Sequence, residues 1–164
     1  MYAVTIDVLY VHCMDHSTDR LALLAARSVF DGTFATVQQA ISLAKAAARR
    51  PGDMAGELQL AYCAYQEQLG IYKARDYDDI LLDFLDLLEC DAQVLEELRG
   101  RFPHLLVDEF QDLNAVQYRL VRLLAGRGAG LFAIGDPDQA IYGFRGADPG
   151  YFAQLESDYA AIVK

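Results

Sequence analysis

The sequence has no uninterrupted apolar run of the roughly 18–20 residues that a membrane-spanning helix needs, so no membrane association is expected. Residues 1–15 lack a basic segment and are interrupted by Asp7, so they do not resemble a secretory signal. The three cysteines, Cys13, Cys63 and Cys90, fit neither a disulfide framework nor a metal cluster, because they are odd in number and widely spaced. We therefore expect a cytoplasmic protein whose thiols are buried as small apolar groups.

Positive charge is also scarce. The chain has 14 Lys and Arg against 24 Asp and Glu, which gives a net charge of −10. Because basic side chains that neutralise phosphates supply most non-specific affinity for nucleic acids, this balance taken alone argues against a nucleic-acid-binding protein. The hydrophobic fraction of 54% indicates a packed globule instead of a disordered chain.

Residues 1–100 are predicted to form a mainly helical subdomain. Residues 2–11 are apolar and fit either a strand or the start of a buried helix. Further along, apolar residues recur at three- and four-residue steps, and Pro51-Gly52 interrupts the pattern. The predicted helical stretches are 21–30, 36–50, a long helix to Arg75 with Asp53 as its N-cap, 77–89 capped by Asp76, and a helix to Gly100 capped by Asp91.

Residues 101–164 follow a different pattern. Short apolar runs at 105–107 and 131–134 each end in acidic residues, and a helix that opens with the capping-box residues Asn114 and Gln117 separates them. Asp148 and Pro149 are expected to begin a last short helix. This order of strand, helix, strand and helix predicts a parallel sheet, so the expected fold class is helix-rich α/β.

Acidic residues follow both predicted strands. Asp108 and Glu109 come after the first strand, and Asp136 comes after the second. Open parallel sheets bind their ligands at the carboxyl ends of the strands. There one carboxylate can hold a hydrated Mg²⁺ and another can orient or deprotonate a water. Solvated turn residues or helix caps would give the same local pattern, so this spacing does not decide between the two interpretations.

Two longer segments favour the first interpretation. Residues 108–112 (DEFQD) and 135–148 (GDPDQAIYGFRGAD) closely resemble motifs II and III of the UvrD/Rep branch of superfamily 1 helicases, in order and in distance. Residues 77–81 (YDDIL) resemble a stretch that precedes motif II in that family, although Asp78 and Asp79 also fit the first turn of any helix. The resemblance covers about residues 75–155. It implies part of a P-loop NTPase (RecA-like) sheet with an N-terminal all-helical insert.

The resemblance implies an ATP and Mg²⁺ site. By this resemblance, Asp108 is expected to ligate Mg²⁺, and Glu109 is expected to be the catalytic base or water-positioning group. Gln139 senses the γ-phosphate, and thereby belongs to both the catalytic and the nucleotide-binding residues. Gln111 is assigned to the same nucleotide site, and Arg145 is expected to bridge the ATP and DNA sites.

Single-stranded DNA is the second partner that the resemblance implies. Tyr142, Phe144 and Arg145 would contact the strand, and Phe144 takes the place of an aromatic residue on which a base stacks, a contact worth about 1–3 kcal/mol per base. From the residues alone, Tyr142 fits a core position equally well, and Arg145 also fits an ordinary salt bridge.

The phosphate-binding loop of the G-x-x-x-x-G-K-[ST] type that such an enzyme needs is not in this sequence. Residues 126–130 are rich in glycine but contain no lysine. We therefore expect a segment of a longer protein that works with the remaining helicase lobes, and the alternative is a degenerate stand-alone protein. In both cases the 164 residues are expected to be inactive alone. The acidic balance is then a property of the segment, since the basic DNA surface can lie elsewhere.

Two other interpretations remain open. One is a non-catalytic interaction or regulatory module derived from a helicase lobe. The other is a metal-dependent phosphohydrolase or nuclease with a two-metal cluster of Asp108, Glu109, Asp112 and Asp136. The second is less favoured, because it leaves Gln139 and the aromatic residues after it without a role.

Overall fold

The computed structural model describes residues 4–5 and 16–159, and these form three short strands and seven helices. The elements are β1 (Val4–Thr5), α1 (His16–Arg27), α2 (Phe34–Ala46), α3 (Gly56–Ile71), α4 (Tyr77–Cys90), α5 (Ala92–Arg101), β2 (Leu105–Val107), α6 (Ala115–Ala125), β3 (Leu131–Ala133) and α7 (Tyr151–Tyr159). Four 3₁₀ turns lie at Pro51–Asp53, Phe110–Asp112, Pro137–Gln139 and Gly143–Arg145. Within the described ranges, no helix is both long and apolar enough to cross a bilayer.

The chain divides into two compact units. The helical unit contains residues 16–82, and the sheet unit contains β1 together with the described residues from Asp83 onward. The division therefore falls inside α4, whereas the sequence pattern suggested a boundary near residue 100. The pattern cannot locate this point, because α4 keeps its helical periodicity from Tyr77 to Cys90.

The helical unit is built on the packing of α1 and α2 against α3. Its buried core consists of apolar side chains from these helices, namely Ala22, Leu23, Ala26, Val37, Ile41, Ala44, Ala61, Tyr62, Tyr65 and Leu69. The expectation that Asp53 caps the long helix is wrong. Asp53 ends a 3₁₀ turn, where its carboxylate accepts a hydrogen bond from the backbone N of Arg50 at 2.7 Å, and α3 begins later, at Gly56.

A fully buried lysine joins α2 to the start of α4. The Nζ atom of Lys45 lies 2.5 Å from Asp76 and 2.7 Å from Asp79, and the Lys45 side chain has no exposed surface. The hydroxyl of Tyr65 donates to Asp76 at 2.9 Å, and the amide of Gln66 donates to Asp79 at 2.6 Å. Each buried charge therefore has the partners that burial requires.

The two carboxyl groups around Lys45 have different electrostatic environments. Burial raises the pKa of Asp76, and repulsion from Asp79 adds to this shift in spite of the nearby ammonium. Burial would also raise the pKa of Asp79, but the charge of Lys45 and hydrogen bonds from Lys45 and Gln66 lower it overall. Asp76 also caps α4, because its Oδ1 accepts from the backbone N of Asp79 at 2.7 Å, as the sequence predicted.

The sheet unit contains the predicted parallel sheet. Its strand order is β1-β2-β3, and both neighbouring pairs are parallel, with Leu106 opposite Phe132 in the second pair. Val4–Thr5 is thus a strand, while the rest of residues 2–11 lies outside the described residues. The predicted caps Asp91 and Asn114 are confirmed at the starts of α5 and α6.

One face of the sheet is covered and the other is open. The covered face packs on a core of Leu105, Val107, Phe110, Leu113, Tyr118, Val121 and Leu155. On the opposite face, Leu106 is 40% exposed and its partner Phe132 is 58% exposed. Parallel sheets normally have both faces covered, so this apolar surface is unusual within the described part of the chain.

The expectation that the cysteines are buried is wrong for two of them. Cys63 and Cys90 are exposed, and Cys13 lies outside the described residues. Cys63 follows the buried Ala61 and Tyr62 on α3 but projects from the other side of that helix. The residue type predicted burial, but Cys63 is exposed because of the side of α3 on which it lies.

Replacing Lys45 with Met is expected to destabilise the 164-residue chain by about 3–5 kcal/mol, because the buried Asp79 and the partly buried Asp76 lose their counter-charge while the side-chain volume is kept. Urea denaturation would measure the change. The matched control is Lys73→Met, an exposed lysine of the same unit, which should change stability by less than about 0.5 kcal/mol. Equal effects of the two substitutions would contradict a structural role for the Lys45 cluster.

Candidate active site at the carboxyl edge of the sheet

The acidic segments begin side by side at the carboxyl edge of the sheet. Backbone pairing between the two chain segments continues beyond the strands, because Ile134 N donates to Val107 O at 2.8 Å and Phe110 N donates to Ile134 O at 2.9 Å. The residues that follow β2 and β3 are therefore neighbours, as the parallel arrangement predicts.

Glu109 turns the chain out of β2. Its backbone lies in the left-handed region (φ 50°, ψ 46°), which costs a non-glycine residue roughly 1–3 kcal/mol and is often found at functional sites. Asp108 is exposed and its Oδ1 accepts from Glu109 N at 2.9 Å. The turn places the exposed Glu109 carboxylate beyond the end of the strand, ahead of the 3₁₀ turn Phe110–Asp112.

Gln111 connects the two acidic segments. It is 2% exposed, its Nε2 donates to Glu109 Oε2 at 2.6 Å, and its Oε1 accepts from the backbone N of Asp136 at 2.9 Å. One amide group thus joins a side chain that follows β2 to the backbone that follows β3.

Asp136 organises the segment after β3. Its Oδ1 accepts from Asp138 N at 3.0 Å, which caps the 3₁₀ turn Pro137–Gln139, and its Oδ2 accepts from Gln139 Nε2 at 2.7 Å. The hydrogen-bonded series therefore runs from Glu109 through Gln111 and Asp136 to Gln139. It brings together three of the expected nucleotide-site residues and adds Asp136 as their anchor.

Asp112 is the other acidic residue of the first segment. Burial raises the pKa of Asp112, and the nearby Glu109 carboxylate raises it further. Its Oδ1 is buried and has no hydrogen-bond partner among the described residues. Asp112 therefore lies closer to the core than Asp108 or Glu109, in agreement with their respective exposures.

A cluster of aromatic side chains in the core of the sheet unit packs against the turn that carries Gln111. Phe110 is fully buried and makes edge-on contacts with Phe152 (ring centroids 5.0 Å apart) and with Tyr118 (6.1 Å). Tyr118 also stacks on Tyr151 at 4.4 Å and donates a hydrogen bond to Asp158 at 2.8 Å. These contacts attach α6 and α7 to the turn that carries Gln111, and so restrict its position.

The aromatic residues expected at the DNA site form a separate exposed group. The rings of Tyr142 and Phe144 lie 5.9 Å apart, and the guanidinium carbon of Arg145 lies 5.6 Å from the centre of each ring. Tyr142 is 38% exposed and Phe144 is 56% exposed. Tyr142 is therefore not a core residue, and Arg145 contributes cation–π contacts to the group.

The geometry does not support a cluster of several protein ligands around metal ions. Within the described residues, no three His, Cys, Asp or Glu side chains are grouped closely enough to hold a metal ion. This finding weighs against the two-metal interpretation with Asp108, Glu109, Asp112 and Asp136. It is compatible with Mg²⁺, which binds proteins through as few as one or two carboxylates together with phosphate oxygens.

Some features of the site were not anticipated from the sequence. The buried bridge of Gln111 depends on a contact between segments 25 positions apart. The anchoring role of Asp136 depends on the turn that brings Asp138 N and the Gln139 amide to its carboxylate. Lys45 in the helical unit was also missed. The available signal was its position in α2, one helical turn after Ile41 and directly after Ala44, both of which are buried apolar residues. A lysine in such a position is rarely buried without acidic partners, so the pattern pointed to a buried ion pair.

Comparison with known proteins gives consistent matches. The model of the UvrD/REP helicase N-terminal domain matches residues 14–160. The ATP-dependent DNA helicase PcrA of Staphylococcus aureus is 44% identical over 98 residues, which cover 60% of this chain and 13% of that protein. The PcrA helicase of Staphylococcus epidermidis is 35% identical over 132 residues, which cover 80% of this chain and 18% of the relative.

The chain thus spans less than a fifth of the length of these relatives. The family match, in contrast, covers nearly all of the described residues and includes both acidic segments and the aromatic group. The chain belongs to the UvrD/REP helicase N-terminal domain family.

Proposed function

We propose that this chain is the part of a cytoplasmic ATP-dependent DNA helicase that carries the hydrolytic carboxylates, within a RecA-like lobe and its helical insert. The observation that carries the proposal is the hydrogen-bonded series from Glu109 to Gln139. It joins the segment resembling motif II to the segment resembling motif III, at the sheet edge where α/β proteins bind ligands. The proposed activity couples Mg-ATP hydrolysis to movement along single-stranded DNA and to unwinding of the duplex.

The carboxylates at this edge suit the chemistry of phosphoryl transfer to water. Asp108 is an exposed hard oxygen donor and fits a Mg²⁺ ion, which when bound would neutralise charge on the phosphates. Glu109 is the group that orients or deprotonates the attacking water. Gln139 is exposed at the other end of the series and is suited to contact the terminal phosphate.

The exposed aromatic group supports binding to a single strand. Stacking of a base on an aromatic ring does not depend on base sequence, so Tyr142 and Phe144 suit a protein that moves along DNA. Only Ala140 and Ile141 separate Gln139 from Tyr142 in the chain. A change at the nucleotide end of this segment can therefore alter the contact with the strand over a short distance.

The open face of the sheet supports a larger lobe. Leu106, Phe132 and Ile134 are apolar and 40–58% exposed, and a parallel sheet of this kind needs a second layer. We propose that further segments of the same helicase lobe cover this face, and that the remaining helicase lobes are its other partners.

The 164-residue chain is expected to show no appreciable ATP turnover, with or without single-stranded DNA, because it contains no phosphate-binding loop. A coupled assay of ADP release would measure this. The full-length helicase that carries this segment serves as the positive control. DNA-stimulated turnover by the 164 residues alone would contradict the proposal that the site is completed from outside them.

In that full-length helicase, Glu109→Gln is expected to lower ATP turnover by about 10²–10⁴-fold, since the substitution removes the basic group. Nucleotide affinity, followed with a fluorescent ATP analogue, should stay within about threefold of the original because the side-chain shape is kept. The control is Glu97→Gln, an exposed residue of α5. Undiminished turnover in the Glu109 variant would exclude this residue as the catalytic group.

Phe144→Ala is expected to weaken single-stranded DNA binding by the full-length helicase by roughly 5- to 150-fold, the equivalent of one lost base stack. Phe144→Trp should retain binding, because it keeps an aromatic surface. Fluorescence anisotropy with a labelled oligonucleotide gives both affinities. Tyr72→Ala, which removes an aromatic residue of similar exposure from the end of α3, should leave them unchanged, and equal losses in Phe144→Ala and Tyr72→Ala would argue against stacking.

A further inference from the structure

We propose that Gln111 is a positioning residue that holds Glu109 and Asp136 in a fixed relation, and that Gly135 is required because it leaves the space for the Gln111 amide. The inference rests on the proposed ATP hydrolysis and identifies residues that set its geometry without contacting substrate.

Both ends of the Gln111 amide are already engaged within the protein. Its Nε2 donates to the Glu109 carboxylate and its Oε1 accepts from Asp136 N, while the side chain is almost completely buried. A group in this state has little capacity left to bind a nucleotide directly. Its hydrogen bond to a carboxylate is charge-assisted, which makes it stronger and more directional than a neutral one.

Gly135 is the residue that makes room for this amide. A Cβ at Gly135 would collide with Oε1 of Gln111, and it would lie 2.8 Å from Phe110 N and 2.9 Å from the ring of Phe152. The φ angle of Gly135 is not positive, so its backbone conformation is accessible to other residues. The requirement for glycine at this position is therefore one of space.

The bridge has a mechanical consequence. Glu109 follows β2 in a left-handed conformation, and its carboxylate is held by a hydrogen bond from the Gln111 amide. The same amide fixes the backbone of Asp136, whose carboxylate holds Gln139. The position of the water-orienting carboxylate and that of the phosphate-contacting amide therefore depend on one buried group.

Three variants of the full-length helicase test this inference, namely Gln111→Ala, Gly135→Ala and the double substitution. Each single substitution should lower kcat by about tenfold or more, with KM for ATP changed by less than about twofold, because the substrate contacts are kept and only their geometry is lost. The double variant should lose less kcat than the product of the two single losses, because both changes act on the Gln111 bridge, while a Cβ at position 135 still meets Phe110 N and Phe152.

The control is Gly100→Ala. Gly100 lies in α5 with a helical environment, and a Cβ there would meet no atom within 4 Å. This variant should keep the kcat of the unsubstituted protein and be at least as stable, since alanine favours helix more than glycine does.

Hydrogen–deuterium exchange of a peptide that begins several residues before Asp136, such as residues 131–139, provides a readout that does not require activity. Loss of the acceptor for Asp136 N should speed its exchange in both Gln111→Ala and Gly135→Ala, and not in Gly100→Ala. Multiplied losses of kcat in the double variant, or unchanged exchange and kcat in Gly135→Ala, would overturn the inference. Absence of turnover in the unsubstituted helicase would instead refute the proposed function, while the exchange experiment would still decide whether the bridge exists.

Discussion

The pairing of β2 with β3 continues past the last residues of both strands, and the geometry of the candidate site depends on this continuity. The hydrogen bond from Phe110 N to Ile134 O brings the turn after β2 against the turn after β3. The amide of Gln111 then fits between Glu109 and the backbone of Asp136. Without parallel strands of matched register, these polar groups would lie at different heights and one buried side chain could not span them.

The helical unit contains a second buried polar arrangement with a different physical basis. Lys45 is enclosed by Asp76 and Asp79, with Tyr65 and Gln66 completing the hydrogen bonds. The free-energy cost of removing these charges from water offsets much of their mutual attraction. The main effect of the cluster is therefore to specify how α2, α3 and α4 pack together. Asp78 and Asp79 also fitted an ordinary first helical turn in the sequence. In the structure, Asp79 forms a buried ion pair with Lys45.

The net charge is a poor guide to this family member. A value of −10 argues against a nucleic-acid-binding protein, and yet the chain belongs to a helicase family. The chain covers less than a fifth of its relatives, so its charge does not represent the charge of a whole enzyme. The exposed Tyr142, Phe144 and Arg145 also offer stacking and cation–π contacts, which do not require a broad basic surface.

The sequence by itself determined the features that depend on residues close together in the chain. It predicted the caps Asp76, Asp91 and Asn114, the two strands that end in acid, and the family, because side-chain caps and motifs act over three to a few residues. Its failures also have local reasons. Asp53 has the right chemistry for a cap but is the last residue of a 3₁₀ turn, and Cys63 has an apolar character but lies on the outer side of α3.

The tertiary structure alone decided the contacts between distant segments. The pairing of Lys45 with Asp76, across 31 positions, and the bridge from Gln111 to Asp136, across 25, follow from how helices and strands pack and not from any local pattern. The same holds for Gly135, whose missing side chain matters because the Gln111 amide, the backbone N of Phe110 and the ring of Phe152 surround that space. Burial makes these contacts specific, since a polar group removed from water must find a partner at one defined position.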